Sequence, residues 1–260
     1  MKANWIIALL AVCVLVPASP ASALLIAHWG FDQNPGDSVA VASAGGVDGN
    51  LFGDAAFVPG GVSGNAISVS RNGGGYVSMG TNFGLSGTFS VAAWVKTAPG
   101  YQTADAIMVS KHTGGSSNGY FLGMNTSAGF GQTDKAYFYP SASFGQEAIS
   151  TTNVNDGDWH LIVGVFDSGT ARMYVDDGPA EDMTGPGLSI VANAAPFLVG
   201  GVFNNNANVS RFDGLIDDVR LYDEALTQSQ IEALIPEPAS LALLGVGGLA
   251  ILVRRKRFTG

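Results

Sequence analysis

Phe212-Asp213-Gly214-Leu215-Ile216-Asp217-Asp218-Val219-Arg220-Leu221-Tyr222 runs into Asp223-Glu224-Ala225-Leu226 and a short stretch that ends at Leu234. Apolar and polar side chains take turns here, which is the period of a strand with one face buried. If Leu215, Val219 and Leu221 face the core, alternation brings Asp217 to the same face and sends Ile216, Asp218, Arg220 and Tyr222 to the other. An ionised group taken from water without a partner costs several kcal/mol, so Asp217 needs backbone N–H donors, a cation, or water at the sheet end. Beyond the strand, Thr227 and Gln230 stand at capping-box spacing ahead of Ile231 and Leu234, which predicts one short helix.

Outward from that strand the chain repeats the pattern. Ala66-Ile67-Ser68-Val69-Ser70, Phe89-Ser90-Val91-Ala92-Ala93-Trp94-Val95, Tyr120-Phe121-Leu122-Gly123-Met124 and Trp159 to Phe166 read as strands. Asn72-Gly73-Gly74-Gly75, Thr113 to Gly119, Asn155-Asp156-Gly157-Asp158 and Asp176-Asp177-Gly178-Pro179 read as turns, because they supply residues that tolerate positive φ. Many short strands with no long helical period predict an all-β, two-sheet antiparallel sandwich rather than a βαβ fold. No linker divides the segment, and it reads as a single domain.

The two ends carry different signals. Lys2, the apolar run Trp5 to Val16 and Ala21-Ser22-Ala23 make residues 1–23 an N-terminal signal helix, with cleavage expected after Ala23. At the other end, Pro236-Glu237-Pro238 precedes an apolar run from Ala239 to Val253 and then Arg254-Arg255-Lys256-Arg257. That run is about 22 Å long as a helix, against a hydrocarbon core of roughly 30 Å, so it spans as a transmembrane-type helix only with thinning or snorkelling. Its basic end stays in the cytoplasm. In this order the features of residues 236–260 resemble the PEP-CTERM sorting signal processed by exosortase-type transpeptidases in bacteria that secrete exopolysaccharide. The resemblance implies export across the inner membrane through the secretion translocon and transient membrane insertion of the tail. It further implies cutting near Pro236, Glu237 and Pro238, then release to the cell surface or extracellular matrix.

Removing both ends leaves residues 24–235 with a net charge of −13, because five of the twelve Lys and Arg but one of the twenty-one acids lie in the ends. No basic patch is left to release counterions, which argues against nucleic acid and anionic glycans as partners. The one cysteine, Cys13, lies in the leader, so the mature chain has no thiol for a disulfide, a nucleophile or a metal.

His28-Trp29-Gly30-Phe31-Asp32, Phe89 to Lys96, Val109-Ser110-Lys111, Asp158-Trp159-His160, Arg172-Met173-Tyr174-Val175-Asp176-Asp177-Gly178 and Phe212 to Tyr222 occur in this order. Together they resemble the laminin G-like, concanavalin A-like jelly-roll domain of bacterial surface proteins, from about Ile26 to Leu234. The resemblance implies two antiparallel sheets. The superfamily includes lectins, glucanases and adhesion modules, so fold alone does not decide function. It also implies a calcium site on a last-strand Asp and first-turn carbonyls, here Asp217 with Asp32 and the backbone near Gly45 and Gly46. The alternative for Asp217 is a hydrogen-bonded turn. Val41 stands where the family usually places another Asp, which removes one carboxylate from such a site.

Other side chains read as structural. Trp159 is expected packed with His160 at the surface, and His28 is the same case. His112 falls in a Gly-Ser loop where it could touch a ligand, and Lys111 is a packing position with its amine in water. Asn204-Asn205-Asn206, Asn208 and Ser210, beside Phe203 and Phe212, form a polar loop or a sugar-contacting one. A retaining glycosidase needs two carboxylates roughly 5 Å apart, which alternate positions of one strand supply. Glu147 is isolated, Glu181 and Asp182 are adjacent, and Glu224 and Glu232 lie in the helical end. No Gly-x-Ser-x-Gly elbow leads from a strand into a helix. The sequence therefore predicts a non-catalytic binding module for glycan or matrix, with Tyr101, Tyr120, Tyr137 and Tyr139 as ring candidates for the binding face. The alternative is a structural or protein-adhesion surface protein.

Overall fold

The computed structural model describes residues 24–98, 106–114, 118–125, 134–140, 147–184, 187–204 and 207–236. The leader, the ring of Tyr101 and the tail from Glu237 onward lie outside the described residues. The strands are β1 (Leu25–Trp29), β2 (Val39–Ala40), β3 (Ala44–Gly45), β4 (Gly49–Phe52), β5 (Ala56–Pro59), β6 (Asn65–Val69) and β7 (Tyr76–Ser78). They continue with β8 (Phe89–Thr97), β9 (Ala106–Gly114), β10 (Gly119–Asn125), β11 (Lys135–Tyr139), β12 (Ala148–Asn153), β13 (Trp159–Asp167) and β14 (Thr170–Val175). Last come β15 (Glu181–Thr184), β16 (Leu198–Val199), β17 (Gly201–Asn204), β18 (Ala207–Ser210), β19 (Gly214–Tyr222) and the helix α1 (Gln228–Glu232).

These strands form the two sheets of a jelly-roll sandwich. One sheet has nine strands in the order β15-β14-β13-β8-β19-β1-β3, with β6 on β19 and β5 on β6. The other has ten in the order β12-β11-β10-β9-β16-β7-β4-β2, with β17 on β9 and β18 on β17. Between the sheets lies a core that includes Trp29, Phe57, Phe89, Phe138 and Phe197, with Trp29 stacked on Phe197 at 5.5 Å and 24°. The last strand, β19, is central, between β8 and β1.

The alternation expected along β19 does not hold. Asp217 pairs with Trp94 and Arg220 with Ala92, so Asp218 and Val219 share the space opposite one residue, Ala93. This is a β-bulge, and Asp218 takes φ 50° to make it. Ile216, Val219 and Leu221 therefore enter the inter-sheet core, while Asp217 leaves it for the outer face that carries Trp94. The physical reason is the cost of a carboxylate between two apolar sheets.

Segment 223–235 closes that outer face. Leu226 and Ile231 join Ala92, Trp94, Leu161, Val163 and Tyr174 in a second apolar cluster. The predicted capping box is present: Thr227 accepts from the Gln230 N–H, and the Gln230 side chain accepts from the Thr227 N–H.

Candidate functional site

Asp217 and Asp32 meet on one hairpin turn, between β5 and β6. Asp217 Oδ2 accepts from the Val62 N–H at 2.8 Å and from Ser63 at 3.4 Å, and its Oδ1 accepts from Asp218 at 2.7 Å. Asp32 Oδ1 accepts from the Asn65 N–H at 3.1 Å. The turn admits the two carboxylates because it is glycine-rich. A Cβ on Gly61 would stand 2.7 Å from Asp217 Oδ2, and one on Gly64, where φ is 70°, would collide with Asp32. Burial raises the Asp217 pKa to about 6 against the pull of its N–H donors.

These donors are peptide N–H groups, which suit a carboxylate and oppose a cation. Gly45 and Gly46, expected to lend carbonyls, lie instead against Ile26, Ala27 and Trp29. Among the described residues no three His, Cys, Asp or Glu side chains are grouped to hold a metal ion. The arrangement fits the hydrogen-bonded turn, the alternative that the sequence left open for Asp217.

On the same outer face His28 bonds Asp218, and Ser43 Oγ stands 3.1 Å from His28 Nδ1. This links a serine, an imidazole and a carboxylate. Arg220 clasps Asp218 at 2.7 and 3.1 Å, and the Ser43 hydroxyl also lies 3.2 Å from the His28 carbonyl.

His160 is not a free surface residue. Asp176 holds its Nδ1 at 2.8 Å and Asp156 its Nε2 at 3.1 Å, leaving the side chain 12% exposed. The Asp176 bond and then that to Asp156 raise its pKa, against desolvation. Lys111 departs from expectation as well. It is fully buried, and its ammonium donates to the Thr81 carbonyl at 2.7 Å and to that of Ala195. Burial lowers its pKa to about 8.

The outer face of the second sheet holds the rings. Phe121 stacks on Tyr139 at 4.8 Å, and His112 packs its edge on both at 5.0 and 5.6 Å. His112 is thus a buried strand residue and not a loop residue reaching for ligand. Hairpin β17–β18, which carries Asn204 and Asn208, crosses beside this cluster and contributes Val202. Phe212 is wholly buried. Tyr120 points into the core and donates its hydroxyl to the Phe83 carbonyl at 2.9 Å, and Tyr139 is 2% exposed. Of the expected rings, Tyr137 alone is seen half-buried.

An exposed ring, Phe52, and the half-buried Tyr76 form a pair the sequence did not single out. Leu51 and Val77 pack toward the core, so their neighbours Phe52 and Tyr76, paired across β4 and β7, project from the outer face. Their rings lie 4.9 Å apart at 14°, and Phe52 is 43% exposed. Asn50 and Ser78 form the next pair on that face, and Val39 sits opposite Asn50 on β2. The pair is held from behind by two turns. Asp54 donates its N–H to the Gly73 carbonyl at 3.2 Å and accepts from Ser70 N–H at 3.3 Å, and a Cβ on Gly53 or Gly73 would collide with the opposing turn. The cue in the sequence was two strands, each bounded by glycine, whose last and first residues are aromatic.

This architecture matches a known family. Residues 71–232 match the model described as the concanavalin A-like lectin/glucanases superfamily, and residues 234–257 match the PEP-CTERM protein-sorting motif. The chain belongs to the concanavalin A-like lectin/glucanases superfamily. Its tail marks it for export, membrane anchoring and processing at the cell surface. A stretch of 164 residues is 31% identical to adhesion G-protein coupled receptor V1 of Danio rerio, covering 62% of this chain and 2% of that receptor. The fold is similar to domain 4 of AbnA, a GH43 extracellular arabinanase from Geobacillus stearothermophilus, in complex with arabinotriose. That match has a TM-score of 0.62 at 22% identity, over 83% of this chain and 100% of that one. It is also similar to the binding domain of botulinum neurotoxin DC in complex with SialylT, at TM-score 0.58 and 11% identity, over 81% of this chain and 50% of that one.

Proposed function

We propose that the mature domain is a non-catalytic module that binds an uncharged polysaccharide at the cell surface or in the extracellular matrix. The observation that supports it is the stacked Phe52–Tyr76 pair, an aromatic platform on an open sheet face with the polar side chains Asn50 and Ser78 on the same strands. The apolar C–H face of a pyranose ring lies flat on such a platform while its hydroxyls reach amide and hydroxyl groups alongside. The net charge of −13 disfavours polyanions. Asp32 and Asp217 act in this reading as clamps on the turn and not as ligands. An exosortase-type transpeptidase cuts the tail near Pro236-Glu237-Pro238, and the cell's own exopolysaccharide is the first ligand to try.

Affinity electrophoresis of the processed protein through gels containing single polysaccharides tests this. Retardation by an uncharged polysaccharide, with none by a polyanion, is the expected result. Unchanged mobility in every gel overturns the proposal and shifts the domain to protein adhesion.

A further inference from the structure

Leu24, the residue that follows the expected leader cleavage, begins the described chain and already has its partner. Its backbone nitrogen donates to Glu224 Oε1 at 2.8 Å, and its carbonyl accepts from the Asp223 N–H at 3.3 Å. Leu25 then pairs with Tyr222. The other side of this contact is fixed from below: the fully buried Ser90 donates its hydroxyl to the Glu224 carbonyl at 2.8 Å and accepts from the Leu226 N–H at 2.9 Å. The first residue of the domain is thus set against the segment that leads to α1 and the tail.

We infer that leader removal arms a clasp between the two ends of the domain, made by the new α-ammonium of Leu24 and the carboxylate of Glu224. Signal peptidase adds water across the Ala23–Leu24 peptide bond. Ala23 leaves as a carboxylate, and the Leu24 nitrogen becomes an ammonium with three donors. A hydrogen bond from a neutral amide to the carboxylate thereby becomes an ammonium–carboxylate ion pair without movement of either residue. The clasp ties the start of β1 to the strand exit of β19 on the outer face of the first sheet, opposite the Phe52–Tyr76 platform. It does not depend on what the platform binds.

The full chain, exported and processed in a secreting host, gives the test. N-terminal sequencing locates the start, and the α-amine, 13C-methylated by reductive alkylation, is titrated by NMR in the wild type and in Glu224→Gln, which keeps the hydrogen-bond shape without the charge. The expected result is a start at Leu24 and an α-amine pKa about half a unit or more above the ordinary range of roughly 7.7–8.0, returning toward that range in the variant. A different first residue, or the same ordinary pKa in both proteins, overturns the clasp.

Discussion

The two outer faces of the sandwich are built from the same kind of strand and treated in opposite ways. On the first sheet, segment 223–235 lies over the face, and its polar groups are matched in detail: Asp217 to peptide N–H groups, Asp218 to His28 and Arg220, His160 to Asp156 and Asp176. On the second, the hairpin β17–β18 and a ring cluster occupy one part, and the β2–β4–β7 edge keeps Phe52 and Tyr76 in reach of solvent. The face that receives segment 223–235 becomes core, and the β2–β4–β7 edge stays open to solvent at Phe52.

The largest effect should come from the covered face. Ile231→Ala empties a fully buried position on α1 and should cost about 2–5 kcal/mol in denaturant unfolding, whereas Phe52→Ala on the open face should cost about 1 kcal/mol or less. Equal losses would erase the contrast. Next is Asp217→Ala, which strands the Val62 and Ser63 N–H groups and should destabilise by about 1–3 kcal/mol for each donor left without an acceptor. A stability unchanged by calcium in the wild type would accompany this, and a calcium-dependent rise would reinstate the metal reading.

Lys111 sharpens the comparison from inside. Its folded pKa of about 8 lies below the ordinary 10.5, so between these values the unfolded chain binds the extra proton and stability rises with pH. Lys111→Met should remove that rise, measured as the difference between the two unfolding curves from pH 8 to 10.5. The smallest effect is at His160. Its folded pKa is raised, so its contribution is full below the ordinary 6.5 and is lost as pH climbs through the folded value. His160→Gln should flatten this slope by about 1 kcal/mol or less in the same assay.

What was legible in the sequence was local. The strand stretches around Ile67, Val91, Leu122 and Val163 and the Thr227–Gln230 box each depend on residues a few positions apart, and all are present in the fold. The β19 bulge was not legible, because a single positive φ at Asp218 moves Asp217 from one face to the other and no residue type announces it. Lys111 was misread because its carbonyl partners lie 30 and 84 positions away. The exposure of Phe52 and the burial of Tyr120 and Tyr139 follow from which sheet face each strand turns to the core, and this is set by pairing across the whole chain.

Equilibrium binding of an uncharged polysaccharide to the wild type and to the double variant Phe52→Ala, Tyr76→Ala, with melting temperature recorded for both, tests the central claim most directly. The expected result is a loss of affinity of roughly tenfold or more in the variant with the fold intact. Equal affinity in the two proteins would contradict it.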